Sequence, residues 1–193
     1  MTPRLEPIDP ATLTPDAAEL YSRYTSGERA KPGAAFMLVT GDGQLTGPPS
    51  TWMLNPTLGL RMEQLGYGVR FELTLTDRWR EIVILMVAER EDSPFERYAH
   101  HPAGRAAGLS EAEIAALDAG SFAGVDATER AFVACTRALL DRGRLSDEEW
   151  DDAVRSCGRS AMLEIVTLIG WYRLMALQLR VFDVEPPGAA ETS

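Results

Sequence analysis

From Trp79 to Ala88 the chain reads Trp-Arg-Glu-Ile-Val-Ile-Leu-Met-Val-Ala. Wound as a helix, this run is apolar nearly all round, and a helix of that kind has to be enclosed by other helices. The β-branched trio Ile82, Val83 and Ile84 would suit a strand, but the run is too long for one, and Thr76 or Asp77 stands ready to cap a helix start. The rest of the chain must therefore supply helical walls. Arg78, Arg80 and Glu81 enter the interior with this helix, so their surroundings matter most for what the chain does.

Start and stop signals provide those walls. Thr14-Pro15-Asp16 predicts a helix to about residue 24, with a hydroxyl cap and proline in the first turn. Asn55-Pro56 opens a second over 57–70, where Leu58, Leu60, Met62, Leu65 and Val69 recur at mostly helical intervals. Ser93-Pro94-Phe95-Glu96 reads as a capping box that starts a helix ending near Ala107, before Gly108. Similar cap patterns stand at Ser110 to Glu113, Asp126 to Glu129 and Ser146 to Glu149, and a last apolar helix begins near Ser160 and runs to Phe182. No segment alternates with period two. The expected fold is all-α, a bundle of about seven or eight helices in a single domain over 1–193. Residues 1–13 are expected to be an extended arm lying over the fold or over a neighbouring subunit, and 185–193 a flexible tail. Residues 25–50 carry Gly27, Pro32, Gly33, Gly41, Gly43, Gly47, Pro48 and Pro49 around the apolar insert 35–39, and read as a long loop, either structural or a lid. Its glycines are not followed by the lysine and hydroxyl pair of a phosphate-binding loop.

A net charge of −10, from 29 acidic and 19 basic side chains, argues against nucleic acid or an anionic membrane surface as a partner, because both are polyanions. A small-molecule substrate fits better. The segment 161–182 is long enough to span a bilayer, but Glu164, Arg173, Gln178 and Arg180 are spaced through it, so no membrane span is expected. The first residues show no apolar run behind Arg4 and are not expected to be a secretory signal. Cys135 and Cys157 form no pairing motif and suit the reducing cytoplasm, the expected location.

Both histidines lie in Ser93-Pro94-Phe95-Glu96-Arg97-Tyr98-Ala99-His100-His101. Glu96 and His100, four residues apart on a helix, share a face, whereas His101 is turned away by about 100°. A carboxylate beside an imidazole fixes its tautomer and raises its basicity, as acid–base catalysis requires. The competing reading is structural: Glu96 as the third residue of a capping box and His100 as an interior hydrogen-bonded histidine. Spacing alone leaves both open.

The runs Gly47-Pro48-Pro49, Asn55-Pro56, Leu65-Gly66, Leu75-Thr76-Asp77-Arg78-Trp79-Arg80-Glu81, Ile84-Leu85, Phe95-Glu96-Arg97-Tyr98-Ala99-His100 and Ala107-Gly108-Leu109-Ser110 resemble, in order and spacing, the carboxymuconolactone decarboxylase family. That family shares its fold with the alkylhydroperoxidase D proteins, and the resemblance extends over about residues 40–182. In the peroxidase branch a glutamate precedes a Cys-x-x-Cys pair and a histidine follows it; the matching positions here are Glu81, Ser93, Glu96 and His100. Both thiols are absent, so the resemblance implies no disulfide-cycling peroxidase. The remaining set, Glu81, Glu96 and His100, is that of the decarboxylase-like branch, with Arg97 and Pro49 where that branch usually has tryptophan and phenylalanine.

The resemblance implies an alkylhydroperoxidase D-like helical bundle, a homo-oligomer and proton-transfer chemistry without a cofactor on a small carboxylated or lactone-type substrate. His100, Glu96 and Glu81 would be catalytic. Arg80 and Arg97 are candidates for pairing with a substrate carboxylate, and Trp52 and Tyr172 for lining its cavity, against the alternative that the arginines are surface charges and the rings are core. No metal is expected, although two carboxylates and a histidine would suit an oxygen-preferring ion. A non-catalytic binding or scaffold protein on the same helices is the other alternative.

Overall fold

The computed structural model describes residues 4–26 and 38–188. Within them the chain forms a 3-10 turn (Pro10–Thr12) and eight α-helices: α1 Pro15–Thr25, α2 Pro48–Trp52, α3 Pro56–Phe71, α4 Asp77–Arg90, α5 Pro94–Ala106, α6 Glu111–Asp118, α7 Ala127–Arg142 and α8 Asp147–Phe182. The fold is all-α, as expected. Its one strand-like feature among the described residues is an isolated antiparallel bridge between Val39 and Leu45.

Helix α4 is the axis of the bundle. Thr76 Oγ1 accepts from the Trp79 N–H at 3.2 Å and starts it, and every residue from Glu81 to Ala88 is buried. α5, α6, α7 and α8 all pack against it. The long helix α8 is two helices meeting at Gly158, whose φ of 83° and ψ of 163° belong to a region that glycine alone occupies readily. The break lies where the sequence predicts a new helix to begin.

Several caps are made as predicted and others are absent or made in part. The boxes at Ser110/Glu113 and Ser146/Glu149 are complete in both directions. Thr14 precedes α1 without its side chain bonding the first turn. The stretch 38–50, predicted as loop, is partly ordered: Thr40 N–H donates to the Gln44 carbonyl across the small turn, and Pro48-Pro49 begin the short helix α2 rather than prolonging irregular chain. Proline in a first helical turn loses no intrahelical bond, which is why two prolines tolerate that position. Residues 27–37, which include Gly27, Pro32, Gly33 and most of the apolar insert, lie outside the described residues, as do 1–3 of the arm and 189–193 of the tail. The described part of the arm lies on the fold, with Ile8 N–H donating to Gln44 Oε1 at 2.7 Å and Gln44 Nε2 to the Ile8 carbonyl at 3.1 Å.

The polar residues inside the last apolar stretch are ties to the bundle. Glu164 accepts from the Thr74 and Leu75 N–H groups at 2.9–3.0 Å, and Arg173 bonds Glu91 and the Leu140 carbonyl. By length and composition α8 could cross a membrane, but half of its apolar window is buried within the fold.

Gly47 joins the ordered turn to α2 at φ 63°, ψ −156°, and a Cβ placed there would come within 2.4 Å of the buried Phe95 ring. Phe95 opens α5, so the contact holds the segment before α2 against the helix that carries the histidines. Gly47→Ala combines an unfavourable backbone with overpacking and is expected to lower stability by about 2–4 kcal/mol. A denaturant midpoint unchanged from the parent would contradict this packing.

Candidate active site

The turn between α4 and α5 sets the site. Asp92 takes a left-handed φ of 47°, and the Ser93 N–H returns to the Ala88 carbonyl at 2.9 Å, so the chain reverses tightly and lays α5 along α4. Ser93 Oγ then accepts from the Glu96 N–H at 3.5 Å. The reciprocal half of the predicted capping box is missing, because the Ser93 N–H is already used in the turn and the Glu96 side chain is directed elsewhere. Glu96 faces His100 one turn on, with its Oε2 3.4 Å from His100 Nε2.

Glu81, fully buried on α4, meets the other side of the same ring: its Oε2 lies 2.7 Å from His100 Nδ1. Its second oxygen accepts from Arg70 Nη1 at 2.8 Å and from Arg80 Nε and Nη2 at 3.3 Å each. The edge of the Tyr172 ring, from α8, stands at 88° to the imidazole with centroids 5.1 Å apart. Thus α3, α4, α5 and α8 each contribute a side chain to one buried cluster.

The two carboxyl groups sit in opposed electrostatic conditions. Burial on its own would raise Glu81, but the charge and hydrogen bond of His100, together with Arg70 and Arg80, outweigh it and hold the carboxyl at about 2. Glu96 has no arginine. Burial, with a smaller contribution from Glu81 and opposed by His100, pushes its carboxyl up to about 7. Tyr172 is raised well above its ordinary value by burial and by the two carboxylates, so its hydroxyl stays protonated. An ionised Glu81 is an acceptor only, so the proton of the 2.7 Å bond resides on His100 Nδ1 and the lone pair, or second proton, of Nε2 faces Glu96.

The sequence-predicted residues separate into two groups. Glu81, Glu96, His100, Arg80 and Tyr172 come together. Arg97 does not join them: its Nη1 bonds Asp92 Oδ1 at 3.0 Å, and its buried Nε lies 3.8 Å from Asp118 Oδ1 without a hydrogen bond. One residue past Glu96, it points about 100° away from the imidazole, towards the α6 side. His101 goes with it, 3.0 Å from Asp118. Trp52 is a core residue, donating to Gln178 Oε1 at 3.0 Å and packed between Tyr24 and Trp171. Arg70 is the residue that sequence reasoning missed. It ends the helix 57–70, 11 positions before Glu81, and nothing in its spacing marks it.

The donors also speak to a metal. Glu81 and Glu96 sit on opposite nitrogens of one imidazole and cannot converge with it on a single ion; among the described residues no cluster of three or more candidate ligands exists. Cys135 and Cys157 are far from a nucleophile's condition, since burial raises both thiols, Cys135 to about 11.

No protein-family model matches the sequence, and no curated protein is similar to it at a significant level. The fold is similar to that of a solved structure, the debrominase Bmp8 in a cysteine-to-alanine form in complex with 2,3,4-tribromopyrrole. The TM-score is 0.68 at 13% identity, over 99% of this chain and 95% of that one. At that identity the likeness establishes a common all-helical fold.

Proposed function

We propose that this chain is an enzyme of the carboxymuconolactone decarboxylase type, performing acid–base proton transfer with its own side chains on a small carboxylated or lactone-type molecule. The observation that carries this is the pair of carboxyl groups on one buried imidazole, with Glu81 held at about 2 and Glu96 raised to about 7. Two titratable groups driven apart around a shared proton carrier make an acid–base assignment. Glu81 stays ionised and orients His100. Glu96 and His100 Nε2 share the proton that is delivered.

In a decarboxylation, the carbon–carbon bond to the carboxylate breaks, carbon dioxide leaves, and the electron pair remains as a dienolate. The Glu96–His100 pair supplies the proton that closes that carbon, and solvent restores it. Tyr172, kept protonated, offers its hydroxyl to the enolate oxygen. Arg70 and Arg80 hold Glu81 between them, with Asp77 on the outer side of Arg80 at 2.7 Å, which keeps the Glu81 carboxylate fixed beside the imidazole. The debrominase of similar fold, solved with a small ring compound, supports a small cyclic ligand. The absence of cysteine at Ser93 and Glu96 keeps the proposal apart from thiol peroxidases.

The test is a pH profile of carbon dioxide release from a panel of carboxylated γ-lactones and unsaturated dicarboxylic acids. With Glu96 as donor, kcat/KM falls as pH rises through about 7, and Glu96→Gln removes that limb while lowering turnover. A variant that keeps the limb would exclude Glu96 as the donor. If no compound is turned over but several bind, and His100→Gln binds them as tightly, the chain is a binding protein. Stability gives a substrate-free readout. Glu96 has a folded-state value above its unfolded one, so its contribution is complete below about 4.5 and is lost as pH rises towards 7. Glu96→Gln should therefore flatten the decline of stability over pH 4.5–7.

A further inference from the structure

Helix α8 presents Tyr172 to His100 on one side and an apolar row to solvent on the other. Leu163, Val166, Leu174, Leu177 and Val181 are 40–71% exposed, and Gly170 lies open among them. From 163 to 179 no exposed position of the helix is charged, on a protein whose net charge is −10. The spacing is also regular. Leu163, Thr167, Gly170, Leu174, Leu177 and Val181 follow intervals of four, three, four, three and four, the seam of a helix that packs against another helix.

The seam is complementary to itself. Its positions are symmetric about residue 172: Leu163 mirrors Val181, Thr167 mirrors Leu177, and Gly170 mirrors Leu174. When a second copy of α8 is laid antiparallel across it, each large central side chain, Leu174, meets the gap at Gly170 of the other copy, twice by symmetry. That reciprocal pairing is what an isologous two-fold contact requires. Helix α3 widens the surface. It runs antiparallel to α8, with Gly66 against Trp171 and Met62 against Gln178, and helical phase puts its exposed Leu58 and Leu65 on the same side of the pair as the α8 row. Two helices side by side, each about 10 Å across and about 27 Å long over this seam, offer roughly 540 Å² per copy. Two such faces together reach about 1,100 Å², above the roughly 1,000 Å² that a specific interface needs.

We propose that α8 and α3 form a two-fold homodimer interface, with two α8 helices antiparallel and crossing at Gly170 and Leu174. Nothing lies within 4 Å of a Cβ built at Gly170, so a side chain there leaves the single chain's packing untouched and acts only on what covers the face. The experiment is light scattering after size exclusion on the parent and on Gly170→Glu at tens of micromolar. The parent is expected at twice the 21.2 kDa chain mass, and Gly170→Glu at 21.2 kDa with unchanged helical circular dichroism. Register is read by oxidative cross-linking. Leu163→Cys/Val181→Cys should yield a covalent dimer at least tenfold faster than Leu163→Cys alone, with the parent as control for Cys135 and Cys157. A parent that runs at 21.2 kDa, an assembly that survives Gly170→Glu, or cross-linking by Leu163→Cys alone at an equal rate would each overturn the proposal. So would a monomeric parent that floats with phosphatidylglycerol vesicles, which would make the face a lipid contact.

Discussion

His100→Gln is expected to lower kcat by 10²–10⁴-fold, the contribution that positioned acid–base groups typically make, while the protein stays folded. Glutamine is polar and of similar reach, so it keeps one hydrogen bond to the ionised Glu81 and does not leave that buried charge bare on the imidazole side. What it cannot do is bind and release a proton where Nε2 lies 3.4 Å from Glu96 while its other end holds Glu81. Substrate binding should change little, because Arg70, Arg80 and Tyr172 remain, so the loss should appear in kcat rather than in KM. A His100→Gln protein with parental turnover would end the proton-transfer reading. A loss confined to KM would assign His100 to binding instead.

The fold was legible from the sequence because its decisive signals are local. The run 79–88 has no polar face, so it had to be enclosed, and α5, α6, α7 and α8 enclose it. Serine caps placed the starts of α5, α6 and α8, Gly108 marked the end of α5, and the last helix expected near Ser160 begins just past the break at Gly158. The site was legible only in part. Glu96 and His100 could be paired by helical spacing, but the same Ser-x-x-Glu pattern also encodes a capping box. Backbone geometry resolved the ambiguity: the Ser93 N–H is taken by the Ala88 carbonyl, which leaves Glu96 without its capping partner. Arg70 and Arg97 show the limit. Arg70 meets Glu81 through the packing of α3, a tertiary contact that spacing does not encode, whereas Arg97 is next to Glu96 in sequence yet faces Asp92 and Asp118. Trp52 likewise went to the core, held by Gln178 on the far end of the chain.

Glu81→Ala should produce the largest stability change of any substitution in the site, a loss of about 3–5 kcal/mol, because it removes one member of a buried charged network and leaves the others facing a cavity. Arg70 and Arg80 would lose the carboxylate between them, and His100 would lose the acceptor that fixes its tautomer. The pH dependence distinguishes this from simple cavity formation. Glu81 has a folded-state value near 2, below its unfolded one, so its electrostatic contribution is fully present above about 4.5 and is lost as pH falls towards 2. The gap between parent and Glu81→Ala should therefore be widest at neutral pH and narrow in acid, leaving only the packing loss. Glu96 acts with the opposite sign and in a higher window, so Glu96→Gln gains relative to the parent as pH rises from about 4.5 to about 7, above the range in which Glu81 becomes fully effective. Denaturant unfolding of both variants between pH 3 and pH 8 checks this. A Glu81→Ala penalty that is flat with pH would show that the carboxylate carries no net electrostatic stabilisation, and the ionised Glu81 that orients His100 would have to be abandoned with it.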